Sequence, residues 1–276
     1  MRVATLNLWN KSGPWLERMA LIRRQLDSLD ADIIGLQEVL ELESGAKVQN
    51  QCAEICGDYH WCYAPGHNMK GPWVQAGTQL RFGNALLSKF PIQSHDTYVL
   101  PGFEDSDQKR CVLHAVLGAP LGRIDVFVTH LNWKLDEGWI RELQVKEIVR
   151  LIGAHSDASD FPPLLMGDLN ALPSSDEIRY LGGQTRLGEE RSTYFADAWN
   201  YVPHKGDGFT FDARINEFAA TYGEAPRRLD YIFIEGSLKK RRGVPSDVGL
   251  AFHEPDPDKG IFCSDHFGVY ADLNDH

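Results

Sequence analysis

The sequence predicts a layered α/β sandwich built as one domain over residues 1–276. Three observations predict it. Short apolar runs of strand length recur along the whole chain, with segments of helical period between them. No Pro-, Gly- or Ser-rich linker and no internal repeat divides it. At 276 residues, 43% hydrophobic and 24% charged, the composition is that of a globular chain able to bury a large core.

The elements follow in order. Residues 3–8 read as a strand, and Gly13-Pro14 opens a helix with proline in its first turn. Leu16, Met19, Ala20, Ile22, Leu26 and Leu29 form that helix's apolar stripe. Residues 33–36 are a short buried strand ending at Gln37-Glu38, and 49–56 read as a helix. Segments 61–64 and 84–88 read as strands. The Gly-rich stretch 66–82 between them reads as a long loop or hairpin. Residues 111–117 and 123–128 pair as strands across a turn at 118–122. Residues 142–152 form a helix, 164–166 a strand, and 175–180 a helix capped by Ser174 or Ser175. Segments 209–211, 231–234 and 269–273 complete the strands. The basic run Lys239-Lys240-Arg241-Arg242 reads as a solvated turn.

Charge narrows the function classes. Lys plus Arg is 28 and Asp plus Glu 39, giving a net charge of −11. A broad nucleic-acid-binding face normally brings a basic balance, so tight non-specific binding of long DNA is not expected. A small phosphorylated substrate, or a nuclease with basic groups concentrated in one groove, stays compatible. No secretory pattern and no apolar run of about 18 residues is visible, so a cytoplasmic chain without stable membrane insertion is expected. The five cysteines are scattered and read as reduced thiols; Cys52 and Cys56 share one helix face. No protein partner is inferable.

Six segments place a polar group of catalytic type beside an apolar run. They hold Asn7; Glu38; His130; Asp168 with Asn170; Asp230; and Asp265 with His266. Polar groups at strand ends cost stability unless they serve a site. Singly, each reads as a cap, a turn residue or a structural histidine. Together they suggest one centre assembled from several strand ends.

In this order the segments resemble the endonuclease/exonuclease/phosphatase superfamily, the DNase I-like metal-dependent phosphoesterases. Thr5-Leu6-Asn7, Gln37-Glu38, Thr129-His130-Leu131, Gly167-Asp168-Leu169-Asn170, Leu229-Asp230-Tyr231 and Ser264-Asp265-His266 carry the resemblance. So does the stretch Gly83-Asn84-Ala85-Leu86-Leu87-Ser88. The resemblance implies a four-layered α/β/β/α sandwich with two packed mixed β-sheets flanked by helices. It implies a Mg²⁺-dependent hydrolase of phosphate esters, with Mn²⁺ as a substitute. Glu38 is then the metal ligand, with Asp265 completing or water-bridging the site. Asp168 orients or deprotonates the attacking water, and Asn7 and Asn170 hold geometry and a phosphate oxygen. His266 contacts the scissile phosphate, oriented by Asp230. The proton acceptor is either Asp168 or His266. His130 is implied as a phosphate ligand or leaving-group acid. It also distances the chain from abasic-site endonucleases, which resemble it elsewhere but carry tyrosine there. Trp9 stands where those enzymes offer an acidic residue.

Substrate clues are thinner. Arg110, Arg227 and Arg228 flank core strands within reach of a phosphate. Trp73, Trp133 and Trp139 lie on segments expected to rim the mouth, and aromatics there stack a base or contact a lipid or sugar. Thr210 reads as a donor behind the site wall. A phosphodiesterase of nucleic-acid or nucleotide type is the leading expectation. A sphingomyelinase-like enzyme or an inositol-phosphate or small-molecule phosphatase is the alternative. An inactive binding protein of the same fold is the remote one.

Overall fold

The computed structural model describes residues 1–69, 74, 76–102, 109–155, 158–192, 194–203, 206–236 and 242–275. Two similar units sit at its centre. Strand β1 (Arg2–Asn7), helix α1 (Trp15–Leu29) and strand β2 (Ile33–Ser44) make a parallel crossover. The second unit uses β8 (Gly122–His130), α3 (Gly138–His155) and β9 (Phe161–Asp168).

Antiparallel strands extend each unit. The first sheet adds β3 (Lys47–Asn50), β4 (His60–Met69), β5 (Thr78–Ser88), β12 (Pro245–Ala251) and β13 (Gly268–Leu273). Its order is β12-β13-β1-β2-β5-β4, with β3 on β2. The second adds β6 (Ile92–Val99), β7 (Cys111–Ala119), β10 (Phe195–Asp197) and β11 (Asp230–Glu235), in the order β10-β11-β9-β8-β7-β6.

Side-chain alternation builds the layers. On β1, Val3 points between the sheets, while Ala4 and Leu6 pack on Ile22 and Leu26 of α1. The inter-sheet core includes Ile33, Leu86, Val126, Val128, Met166, Ile232 and Val269. On the far face, Val145, Ile148 and Ile152 of α3 and Leu181 of α4 (Asp176–Leu181) cover Val112, Phe127, Leu165 and Phe233. Each fully buried side chain of this size contributes about 1.5–3 kcal/mol. The result is the four-layered sandwich, helices outside and mixed sheets inside. Close approach of the sheets explains Gly35: a Cβ there would lie 2.8 Å from Met166. Asn7 has the parity of Val3, so its side chain enters the seam between the sheets.

Several elements differ from the sequence expectation. β2 does not end at Glu38 but runs to Ser44, with a register shift between Leu36 and Val39. Residues 49–50 belong to β3, and α2 (Gln51–Ile55) begins only after Asn50 accepts the Cys52 N–H at 2.8 Å. Of the two readings of the 66–82 stretch, the hairpin holds in its described residues: 66–69 of β4 pair antiparallel with the start of β5. Residues 209–211 form no strand; Phe211 makes an isolated bridge to Arg227. On α1, Leu16 is exposed and Arg18 is buried in the stripe instead. Ser175 takes the cap position of α4, but its hydroxyl accepts from Leu172 N rather than from a helix N–H. β6 escaped the reading because its outward face is polar and exposed. Lys239, Lys240 and Arg241 lie outside the described residues, while Arg242 donates to the Asp160 carbonyl at 3.2 Å.

Candidate active site

Three adjacent strands of the second sheet align three of the polar residues. His130 on β8 is the register partner of Asp168 on β9, and Asp168 is the partner of Asp230 on β11. Gly167 makes this row possible. Its φ is +146°, and a Cβ there would overlap the Thr129 carbonyl. From the first sheet, Asn7 reaches across at the end of β1.

Asp168 is the junction. It is 1% exposed, and its Oδ2 accepts from Asn7 Nδ2 at 3.0 Å. Its Oδ1 accepts from the Asn170 backbone N–H at 2.9 Å. Nε2 of His130 lies 3.5 Å from Oδ2, and Nε2 of His266 lies 3.8 Å from it. Burial raises the carboxyl pKa to about 6, against the opposing pull of His266.

His266 faces Asp168 with one nitrogen and Asp230 with the other. Its Nδ1 lies 2.9 Å from Asp230 Oδ2. Burial works against a charged ring, but the carboxylates of Asp230 and Asp168 prevail and lift the pKa to about 10. Thr210 is an acceptor here rather than a donor to the site. Its Oγ1 takes the N–H groups of Leu229 and Asp230 at 3.0 and 3.2 Å, fixing the start of β11.

The remaining carboxylates sit on the first-sheet side. Glu38 occupies the irregularity in β2 at φ +57°, which re-aims a side chain from mid-strand. Asn10 Nδ2 donates to Glu38 Oε2 at 3.1 Å, and Ser12 Oγ donates to Asn10 Oδ1 at 2.8 Å. Asp265 is buried and accepts from Ser264 Oγ at 3.2 Å. Burial, then the neighbouring Glu38 charge, raise its pKa to about 7.

Arg18 of α1 ties this half together. The guanidinium is fully buried and donates to the carbonyls of Leu8, Asn10, Ser12 and Cys263. Those carbonyls belong to the loop after Asn7 and the segment before Asp265. Burial lowers the Arg18 pKa to about 10, with Asp265 opposing the fall.

A cavity of about 480 Å³ opens over these groups. Asn7, Glu38, His130, Asp168, Asn170, Asp265 and His266 all line it. Trp9, Phe82, Trp133, Leu135 and Phe211 supply apolar wall, and Arg110 and Arg227 supply cationic wall. Asp230 stands behind His266, outside the lining.

Most expected site residues therefore meet in one place. Arg228 is one exception. Its guanidinium pairs with Asp197 at 2.8 Å and covers the Tyr231 ring, so its charge is committed away from the cavity. Trp139 is half exposed but not in the lining. Trp73 lies outside the described residues. Sequence reasoning missed Asn10 and Arg18. The available signals were a polar Asn10-Lys11-Ser12 turn directly after Asn7-Leu8-Trp9, and an arginine in register with a helix's apolar stripe. Among the described residues, Asp168, Asp230 and His266 form one cluster of metal-ligand type. A second, His114, Asp125 and His155, lies away from the cavity lining.

Residues 4–266 match the Endonuclease/Exonuclease/phosphatase family. A stretch of 169 residues is 28% identical to Sphingomyelinase C 2 of Leptospira interrogans, covering 56% of this chain and 25% of that protein. The chain thus spans well under two thirds of that relative's length. Similar solved structures include truncated TDP2 of Caenorhabditis elegans, at a TM-score of 0.71 and 20% identity, covering 99% of this chain and 96% of that one. Another is an endonuclease/exonuclease/phosphatase family protein of Leptotrichia buccalis, at 0.71 and 19%, covering 99% of each. At such identities the structures speak for the DNase I-like fold alone. The family match runs over nearly the whole chain, and the chain belongs to the Endonuclease/Exonuclease/phosphatase family, whose members are hydrolytic phosphoesterases.

Proposed function

We propose that the protein is a divalent-metal-dependent phosphodiesterase that hydrolyses nucleic-acid or nucleotide-type esters by in-line attack of water. One observation carries this reading. The buried Asp168 carboxylate is held by an amide N–H on each oxygen, and its Oδ2 also faces two histidines, at the floor of an open cavity. A base for water and donors for a phosphoryl group are thereby preorganised together.

The donor set fits a hard cation. Glu38 and Asp265 are neighbouring carboxylates, and burial together with the Glu38 charge disfavours the charged form of Asp265 until a cation offsets it. Those two residues would hold Mg²⁺, with Mn²⁺ as a substitute. The ion would supply charge neutralisation on the phosphoryl oxygens.

The chain's own residues do the rest. Asp168, with a pKa near 6, accepts the proton of the attacking water while Asn7 and Asn170 fix its two oxygens. His266, kept protonated by Asp230, holds negative charge building on the phosphoryl group. Arg110 lines the cavity and adds a fixed cation.

EDTA-sensitive hydrolysis of bis-p-nitrophenyl phosphate tests the class. Intact hydrolysis by Asp168→Ala would reject the assigned site. A second reading, a lipid phosphodiesterase, draws on the sphingomyelinase relative and on exposed Trp133 and Leu135 at the mouth. Dinucleotides, single-stranded DNA, RNA and sphingomyelin assayed side by side with Mg²⁺ separate the two. Turnover confined to sphingomyelin would replace the nucleotide reading.

A further inference from the structure

The two histidines of the site have opposite partners at Nδ1. That of His266 faces the Asp230 carboxylate at 2.9 Å. That of His130 faces Nη1 of Arg110 at 3.1 Å, with both side chains buried. Arg110 directly precedes β7, and His130 ends the neighbouring β8.

Hydrogen-bond logic fixes the protonation of His130. A guanidinium has only donors and keeps its charge in proteins. Nδ1 of His130 must therefore be the acceptor, carrying a lone pair and no proton. A neutral imidazole then holds its one proton on Nε2. That atom lies 3.5 Å from Asp168 Oδ2, and the ring lines the cavity. A charged ring would set N–H against N–H and cation against cation. Burial and the Arg110 charge both depress the His130 pKa well below its ordinary value. The titratable groups acting on the ring are Arg110, Asp168, His266 and His67.

We infer that Arg110 is a positioning residue that locks His130 as the neutral Nε2–H tautomer. His130 then offers a fixed hydrogen bond to a phosphoryl oxygen and transfers no proton. Giving up the Nε2 proton would leave an imidazolate, and gaining one at Nδ1 is blocked by Arg110. The leaving-group-acid role is thereby removed from His130. The division of labour is one charged and one neutral histidine across a single carboxylate. The catalytic part of this inference rests on the phosphodiesterase reading; the tautomer does not.

Two measurements test it. Two-bond ¹H–¹⁵N NMR of the full chain, with histidine ring nitrogens labelled, reads the tautomer directly. The resonances are assigned by their loss in His130→Asn. The expected pattern is an unprotonated Nδ1 and a protonated Nε2, unchanged over the range of about pH 5.5–8 in which histidine ordinarily titrates. Arg110→Gln, whose amide N–H still feeds Nδ1, keeps the pattern. Arg110→Glu, an acceptor, converts the ring to the Nδ1–H or charged form. A charged or Nδ1–H ring in the wild type overturns the inference.

Kinetics supply the second arm. His130→Asn is compared with wild type on aryl phosphodiesters with 4-nitrophenol and phenol as leaving groups. A donor role predicts the same loss on both, about 10²-fold as for removal of an oxyanion donor. A loss at least tenfold larger on the phenol ester marks an acid and overturns the inference, leaving the phosphodiesterase reading intact. If wild type shows no metal-dependent hydrolysis at all, that reading fails by itself, and NMR still decides the tautomer.

Discussion

The Nδ2 amide of Asn7 donates to Oδ2 of Asp168 at 3.0 Å, and the two residues belong to different sheets. A side chain that follows the inter-sheet parity of Val3 thus closes the seam at the site. Asn7→Ala leaves a buried carboxylate oxygen short of a donor, at a cost of about 1–3 kcal/mol. The expected result is a fall in kcat of about tenfold to a hundredfold, the same free energy expressed as rate. Steady-state kinetics with urea unfolding as control checks both. A kcat within twofold of wild type would mean the bond does not organise Asp168.

Arg18 makes a different kind of prediction. Its donors bind four backbone carbonyls in segments that carry Asn10 and lead into Asp265. Arg18→Met removes those donors while keeping apolar bulk, and should destabilise the fold by about 2–4 kcal/mol. It should also raise the Mg²⁺ concentration for half-maximal activity more than it lowers the rate at saturating Mg²⁺. Arg18→Lys should not rescue, because one ammonium cannot span four carbonyls. Magnesium titration of activity distinguishes this from a general loss of folded protein.

Gly167 is the least replaceable backbone position in the site. Its φ of +146° and the adjacent Thr129 carbonyl leave no room for a side chain. Gly167→Ala should cost about 2–4 kcal/mol and displace Asp168. Thermal unfolding reads the stability, and a wild-type Tm in the variant would refute the strain argument.

Acid stability should depend on a group far from the chemistry. Asp125 is fully buried, bound by Arg123 at 2.8 Å through both oxygens and by His114 at 2.7 Å. Burial alone would raise its pKa, but Arg123 and His114 hold the carboxyl well below the usual range. A depressed folded pKa gives stability that is fully present above the unfolded value of about 3.9 and drains as pH falls below it. Asp125→Asn should destabilise by about 3–5 kcal/mol at neutral pH, since one partner of a buried pair is lost. Its urea midpoint should then change less than wild type's below about pH 4. Equal acid sensitivity in both proteins would assign the acid transition elsewhere.

The sequence disclosed which polar residues meet at the cavity better than it disclosed the bounds of the strands. Asn7, His130, Asp168, Asp230 and His266 were legible because each sits beside an apolar run of strand length, a placement that costs stability without a use. Glu38 was legible as a residue but not as a geometry. An irregularity inside a strand reads from sequence as the strand's end, which is why the predicted end of β2 falls where the strand only bends. β6 was missed because an edge strand with a polar outer face blurs the period of two, and β12 because its Pro, Ser, Asp and Gly read as turn residues. Arg228 misled for the opposite reason. Sequence places Arg227 and Arg228 side by side, but the two side chains diverge, one to the cavity and one to Asp197.

The seam between the sheets also sets a clock. Neither parallel unit holds the complete machinery: one brings Asn7 and Glu38, the other His130 and Asp168. Strands formed within each sheet alone would leave the site incomplete until the two sheets dock. Catalysis should return only when they dock, making turnover a reporter of the last packing event rather than of secondary structure.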